Sequence, residues 1–361
     1  MGYPDTFEGY MVKSHDQWST FTKEEFKPKP FESHDIDIAI DACGVCGSDV
    51  HTLTGGWGGK DLPLCVGHEV VGRAVKVGED VKTIKVGDRV GVGAQIWSCL
   101  KCKNCKEDNE NYCPDLVDTY GAYYKDGTKT QGGYASHMRA HEYFTFKIPD
   151  NIPTEIAAPM LCAGITVYSP LIRAKMGPGK KVAVLGIGGL GHFALMFASA
   201  LGAETYALSH SPHKKSDALA LGAKEFITTS TPNWHVPWAF TFDLILNTAD
   251  MTHTFDLPAY MSTLAVNGCF HNVGLPDEPL PTLRAQQFTP NGCMIGGSHI
   301  GSRPEMVGML ELASRKGLKS WVETVQVGEE GCKEAVERVK GNKVHYRFTL
   351  VGFDKVFGVR T

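Results

Sequence analysis

Residues 181–203 read KVAVLGIGGLGHFALMFASALGA, and this stretch decides the fold. Its first five residues, KVAVL, form an apolar run of the kind that a parallel strand buried on both faces requires. Gly186-Ile187-Gly188-Gly189-Leu190-Gly191 follows and fits G-x-G-x-x-G. HFALMFASALGA then reads as a helix ending near Gly202. In this strand–loop–helix setting the glycines allow a tight turn and a close approach of a pyrophosphate to the helix N-terminal N–H groups. A packing turn is the blander alternative. The span 182–203 is charge-free and of the ~20-residue length that crosses a bilayer. Its clustered glycines and His192 favour strand, loop and buried helix instead.

Working outward toward the C-terminus, ETYALS, KKSDALALGA, EFITT, FDLILNTA, AYMSTLAVNG, GCFHNVG and MIGGSHIG alternate as strand and helix candidates. That alternation is the βαβ signature of a doubly wound parallel sheet. An acid about 20 residues beyond the glycine loop binds the adenosine ribose in NAD enzymes. Here the second strand ends in Ser209-His210-Ser211-Pro212-His213-Lys214-Lys215, with no carboxylate. Two hydroxyls and two lysines suit a 2′-phosphate, which predicts NADP(H). The alternative is that the lysines are only the solvated first turn of the next helix.

Outward toward the N-terminus the pattern changes. DIDIAIDA, HEVVGRAVKV and GDRVGVGA are short β-branched runs separated by turns, as in a barrel-like β domain. After about residue 301, MVGMLELASRKG reads as a helix, and residues 344–353 return to strand character and are expected to rejoin this first domain. The fold class is therefore α/β plus β. A Rossmann domain is expected over 156–299, with a barrel-type domain over 1–155 and 300–361.

The 361 residues are 42% hydrophobic and 21% charged with net charge −4, which excludes a disordered chain and gives no basic surface for nucleic acid or an anionic membrane. The N-terminus lacks the apolar core of a secretory signal, and the reading is a soluble, cytoplasmic protein.

Eleven cysteines, an odd number in a long chain, do not suggest a disulfide scaffold. Four of them form a comb, Cys99-x2-Cys102-x2-Cys105-x7-Cys113. Four thiolates on turns at this spacing suit a closed structural Zn²⁺ site, and Lys101, Lys103 and Lys106 offset their charge. An iron–sulfur cluster is the rival, but its bacterial run closes with a three-residue gap. A second constellation lies in GVCGSDVH (44–51) and VGHEVVG (66–72). Cys43-x2-Cys46 with Cys65-x2-His68 would make a closed Cys₃His site. Alternatively, Cys46, His68 and a distant third ligand would hold an open, catalytic zinc with Glu69 beside it. Spacing alone leaves both open.

GVCGSDVH, VGHEVVG, the comb, AAPMLCAGITVYSPL and GIGGLGHFA occur in order along nearly the whole chain. Together they resemble the zinc-dependent medium-chain alcohol dehydrogenases, in the cinnamyl alcohol dehydrogenase branch, and WVETVQVGE and VHYRFTLV resemble fungal NADP-dependent members. The resemblance implies a GroES-like catalytic domain beside the Rossmann domain. It also implies Cys46, His68 and Cys162 as catalytic zinc ligands, with Glu69 as an alternate ligand. Ser48 and His51 then relay the alcohol proton. Thr166, Ser48, Thr248, Gly274 and Ser298-His299-Ile300 join the glycine loop in contacting the cofactor. A channel near Leu53, Trp57, Ile96, Leu116 and Tyr120 is implied, with Cys43 and Cys65 outside the pattern. The expected protein is an NADP(H)-dependent alcohol dehydrogenase or aldehyde reductase with two Zn²⁺ per chain and a homodimeric assembly. Its substrates would be small aromatic or medium-chain aldehydes and alcohols. The alternatives are an NAD-linked polyol dehydrogenase and a non-enzymatic zinc-binding protein.

Overall fold

A computed structural model describes residues 5–253 and 255–358. The chain divides into two compact units, residues 1–162 with 302–361, and residues 163–301. Cys162 thus belongs to the first unit, together with Cys46, His68 and Glu69.

The first unit begins its main sheet with β1 (Asp35–Val45), whose long apolar run feeds directly into α1 (Gly47–Thr54). Strands β2 (Val70–Val77) and β3 (Arg89–Val92) follow as antiparallel neighbours. The comb sits on a lobe built around the single-turn helix α2 (Lys103–Lys106), and β4 (His137–His141) and β5 (Thr145–Lys147) then return to the sheet.

The second unit opens with α3 (Ala163–Arg173). Next come β6 (Lys181–Leu185), α4 (Gly191–Ala200), β7 (Glu204–Ser209), α5 (Lys215–Ala220), β8 (Glu225–Thr228) and β9 (Phe242–Asn247). Then α6 (Leu257–Ser262), β10 (Leu264–Asn272) and β11 (Met294–Gly297) complete it. All six strands are parallel, in the spatial order β8-β7-β6-β9-β10-β11. This is the doubly wound dinucleotide-binding order, with its reversal between β6 and β9. The apolar Val182–Leu185 segment is buried on both faces, as its sequence required. AYMSTLAVNG is not one helix: α6 stops at Ser262 and β10 starts at Leu264. β-branched Thr263 and Val266 and the Asn267-Gly268 pair disfavour continuing the helix, and parallel pairing with β9 captures the segment.

The chain returns to the first unit through α7 (Arg303–Lys316), β12 (Val322–Gln326) and β13 (Arg347–Val351). β13 pairs antiparallel with the end of β1, so the C-terminal strand does rejoin the first sheet. That pairing places Arg347 beside the loop that carries His68 and Glu69. No single helix among the described residues is long and apolar enough to cross a membrane.

Candidate active site and cofactor edge

In the first unit, Cys46 ends β1 and caps α1. Asp49, one turn into α1 and wholly buried, accepts from Cys46 N at 2.9 Å and from Gly67 N at 3.2 Å. Tyr134 Oη donates to the same carboxylate at 3.2 Å. One buried carboxylate therefore fixes the separate loops that carry Cys46 and His68, and burial raises its pKa. Cys162 arrives from the far end of the same unit. One ligand atom from each of Cys46, His68, Glu69 and Cys162 lies within 4.8 Å of the others.

The electrostatics of this cluster are those of a cation site. His68 Nε2 and Glu69 Oε2 are buried without a hydrogen-bond partner, an arrangement that is costly unless something else satisfies them. Contact with the Cys162 thiol holds Cys46 well below the usual thiol range, and the same contact drives Cys162 well above it. Burial opposes protonation of His68, yet the Cys46 sulfur and the Asp49 and Glu69 carboxylates outweigh it and lift the imidazole to about 9. Burial pushes Glu69 up to about 8 against the pull of Arg347, whose guanidinium pairs with Glu69 Oε1. Room for Glu69 exists because Gly44 lacks a side chain: a Cβ there would lie 1.9 Å from Glu69 Oε2. Two sulfurs, one imidazole and a carboxylate match the donor set of an open zinc site.

Of the residues in the two arrangements that spacing allowed, Cys46 and His68 meet Glu69 and Cys162, and Cys43 and Cys65 stay apart from them. Cys43 and Cys65 are buried in the hydrophobic core and burial raises both thiols. Ser48 Oγ lies 3.5 Å from Cys46 Sγ, and the His51 ring stacks on Trp57 at 4.6 Å and 6°. Tyr120 stacks on His68 at 5.3 Å. Leu53, Ile96 and Tyr120, three of the residues expected along a channel, are buried in the hydrophobic core cluster. Leu116 is half-buried.

The comb forms a separate cluster. Sulfur–sulfur separations are 3.5 Å for Cys102–Cys105 and Cys99–Cys113, and 3.9 Å for Cys99–Cys105 and Cys102–Cys113. Tetrahedral Zn–S bonds of about 2.3 Å set neighbouring sulfurs about 3.8 Å apart, so the four fit one ion. Backbone N–H groups of Lys101 and Cys102 stabilise the Cys99 thiolate, lowering its pKa to about 6.

In the second unit the expected cofactor residues fall along one sheet edge. The glycine loop follows β6, Ser209 ends β7, Thr248 follows β9, Gly274 lies just beyond β10, and Ser298-His299-Ile300 follows β11. In a parallel sheet these are all carboxyl ends, the edge where doubly wound folds bind ligands. Gly186 has φ +84°, and a Cβ on Gly191 would lie 1.9 Å from Gly186 O, so neither position accepts a side chain. A Cβ on Gly188 would meet nothing within 4 Å, which leaves the loop face open for a phosphate. Gly189 and Leu190 complete the loop, and α4 begins with no side-chain cap on its N–H groups. Lys214 Nζ donates to Ile187 O at 2.6 Å, drawing the Ser209-His210-Ser211 segment and its lysine against the loop. Thr166 lies half-buried on α3. The residues fit a dinucleotide.

Sequence reasoning passed over Asp49, Tyr134, Gly44 and Arg347. Arg347 alone left a sequence signal, as a lone charge in the apolar run RFTLV.

The alcohol dehydrogenase GroES-like domain family matches residues 32–150 and the zinc-binding dehydrogenase family matches 189–315. NADP-dependent alcohol dehydrogenase 6 of Saccharomyces cerevisiae is 46% identical over 359 residues, covering 99% of each chain. Cinnamyl alcohol dehydrogenase of Sorghum bicolor superposes with TM-score 0.90 at 34% identity, over 96% of this chain and 97% of that one. A cinnamyl alcohol dehydrogenase from Helicobacter pylori complexed with NADP(H) gives 0.87 at 33% identity, over 96% and 98%. These matches set aside the non-enzymatic reading. The chain belongs to the zinc-dependent medium-chain alcohol dehydrogenases, in their cinnamyl alcohol dehydrogenase-like branch, and is an alcohol dehydrogenase.

Proposed function

We propose that this enzyme reduces aromatic or medium-chain aldehydes with NADPH, and oxidises the matching alcohols, at the Cys46–His68–Cys162 cluster. The observation that carries the reading is the convergence of these donors with Glu69, where His68 Nε2 and Glu69 Oε2 are buried without partners. A zinc held there would supply Lewis acidity, to polarise a carbonyl or acidify an alcohol. Cys46, His68 and Cys162 hold it, and Glu69, fixed by Arg347, stands ready as an alternate ligand. Asp49 orients both ligand loops. Ser48 Oγ, beside the cluster, hands the substrate proton on, and His51, held against Trp57, passes it to solvent. The comb holds a second, structural zinc and takes no part in the chemistry.

On the cofactor edge, Ser209, Ser211 and Lys214 bind the 2′-phosphate. His210, Thr248, Gly274 and the 298–300 segment complete the contacts, with Thr166 as a further expected one. Steady-state kinetics over an aldehyde panel with NADPH and NADH tests this. Lys214→Ala should raise the KM for NADPH about tenfold and leave that for NADH unchanged. Equal or better turnover with NADH, or sorbitol oxidation with NAD⁺ outrunning NADPH-linked benzaldehyde reduction, would overturn it.

The eleven cysteines, all free thiols, support a reducing, cytoplasmic setting. A homodimer is supported by β11, the last strand of its sheet, with Met294 and Val266 exposed nearby. Light scattering that gives a single-chain mass at micromolar concentration would refute the dimer.

A further inference from the structure

We propose that the buried Asn247 and the half-buried Asn272 form an amide latch that positions the dinucleotide edge. They would act as positioning residues, through Thr248 and Gly274, rather than as cofactor contacts. This rests on the reading of that edge as the NADP site.

The two asparagines end adjacent parallel strands and stand directly opposite each other in the β9–β10 register. Asn247 is fully buried. Its Nδ2 donates to Asn272 Oδ1 at 2.6 Å and to Ala249 O at 2.9 Å, and its Oδ1 accepts from Ala249 N at 3.2 Å. Asn272 Nδ2 in turn donates to Gly274 O at 2.7 Å. Val273 N closes the set by donating to Asn247 O at 2.9 Å. The latch therefore fixes the turn after β9 and the turn after β10 as one body.

That body reaches the glycine loop. Thr248 N donates to Leu185 O at 2.9 Å, and Thr248 Oγ1 donates to Gly186 O at 2.8 Å. The two turns press so closely that a Cβ on Gly274 would lie 2.4 Å from Ala249 O. A primary amide is suited to such a place. It presents a donor and an acceptor on one flat group, so each buried backbone group meets a partner. It also carries no charge, and a carboxylate here would repel an anionic cofactor.

Asn272→Ala removes the side-chain link between the turns, leaving the backbone bond from Val273 N to Asn247 O and every expected cofactor residue in place. NADPH binding, followed by quenching of protein fluorescence, should weaken about fivefold, as loss of the two part-buried hydrogen bonds of Asn272 implies. The KM for NADPH should rise in parallel, with kcat at saturating NADPH within about twofold of wild type. Ile245→Val, in the buried core of β9, serves as the control: it should lower Tm and leave NADPH affinity unchanged. Should Asn272→Ala fail to fold, Asn272→Ser repeats the measurement with a smaller perturbation. Unchanged NADPH affinity in the folded variant would overturn the latch, as would an equal loss of affinity in Ile245→Val. Failure of the wild-type enzyme to bind NADPH would instead overturn the reading of the edge itself.

Discussion

The two metal clusters of the first unit solve opposite problems. The comb takes four like donors from fifteen consecutive residues, 99–113. The thiols there are satisfied locally, by backbone N–H groups of Cys99, Cys102 and Asp115 and by Ser98. The Cys46 cluster takes unlike donors from three separate segments and leaves two buried polar atoms without partners. It is held by residues that are not ligands: Asp49 behind Cys46 and Gly67, Arg347 behind Glu69, and Gly44 as the space Glu69 fills. A site that only has to close is written into a short segment. A site that must keep one position open for substrate needs the rest of the fold to hold its ligands apart.

The largest expected effect tests that contrast directly. Cys46→Ser should lower kcat/KM on the order of 10³-fold while the far-ultraviolet circular dichroism stays native and metal analysis falls from about two zincs per chain to about one. Retained activity would show that the open site is elsewhere. Next, Arg347→Met strands Glu69 in the interior without its partner and should cost about 3–5 kcal/mol in denaturant unfolding. Unchanged stability would mean that Glu69 does not depend on β13. Cys102→Ser should remove the other zinc and lower Tm, with specific activity of the remaining folded enzyme near wild type at low temperature. A loss of kcat there as large as that of Cys46→Ser would erase the distinction between the clusters. The smallest change is Ser98→Ala, which deletes one hydrogen bond to Cys105. It should cost about 1 kcal/mol in thermal unfolding and leave kinetics unaltered.

Legibility in the sequence follows the same line. KVAVLGIGGLG was readable because strand burial, the tight turn and the helix start are each local consequences of residue type. The comb was readable because its four ligands share one short segment. AYMSTLAVNG misled because its apolar spacing serves a helix and a buried strand alike, and pairing with β9 decided between them. For Leu53 and Ile96 the sequence left channel and core open alike, because an apolar residue looks the same in either. Cys43 and Cys65 had the spacing of ligands, yet the direction of each side chain on its strand or loop sends it inward.

The sequence by itself determined the parallel-sheet unit, its glycine loop, the missing acid after β7 and the closed comb, since each depends on neighbours along the chain. Tertiary structure alone decided which cysteines flank His68. Cys162 reaches that histidine from 94 residues away along the chain, and Arg347 reaches its neighbour Glu69 from 278 residues away, and no local pattern specifies such meetings. The packing of β13 against β1 brings Arg347 in, and the buried cost of unpaired charge makes its partner Glu69.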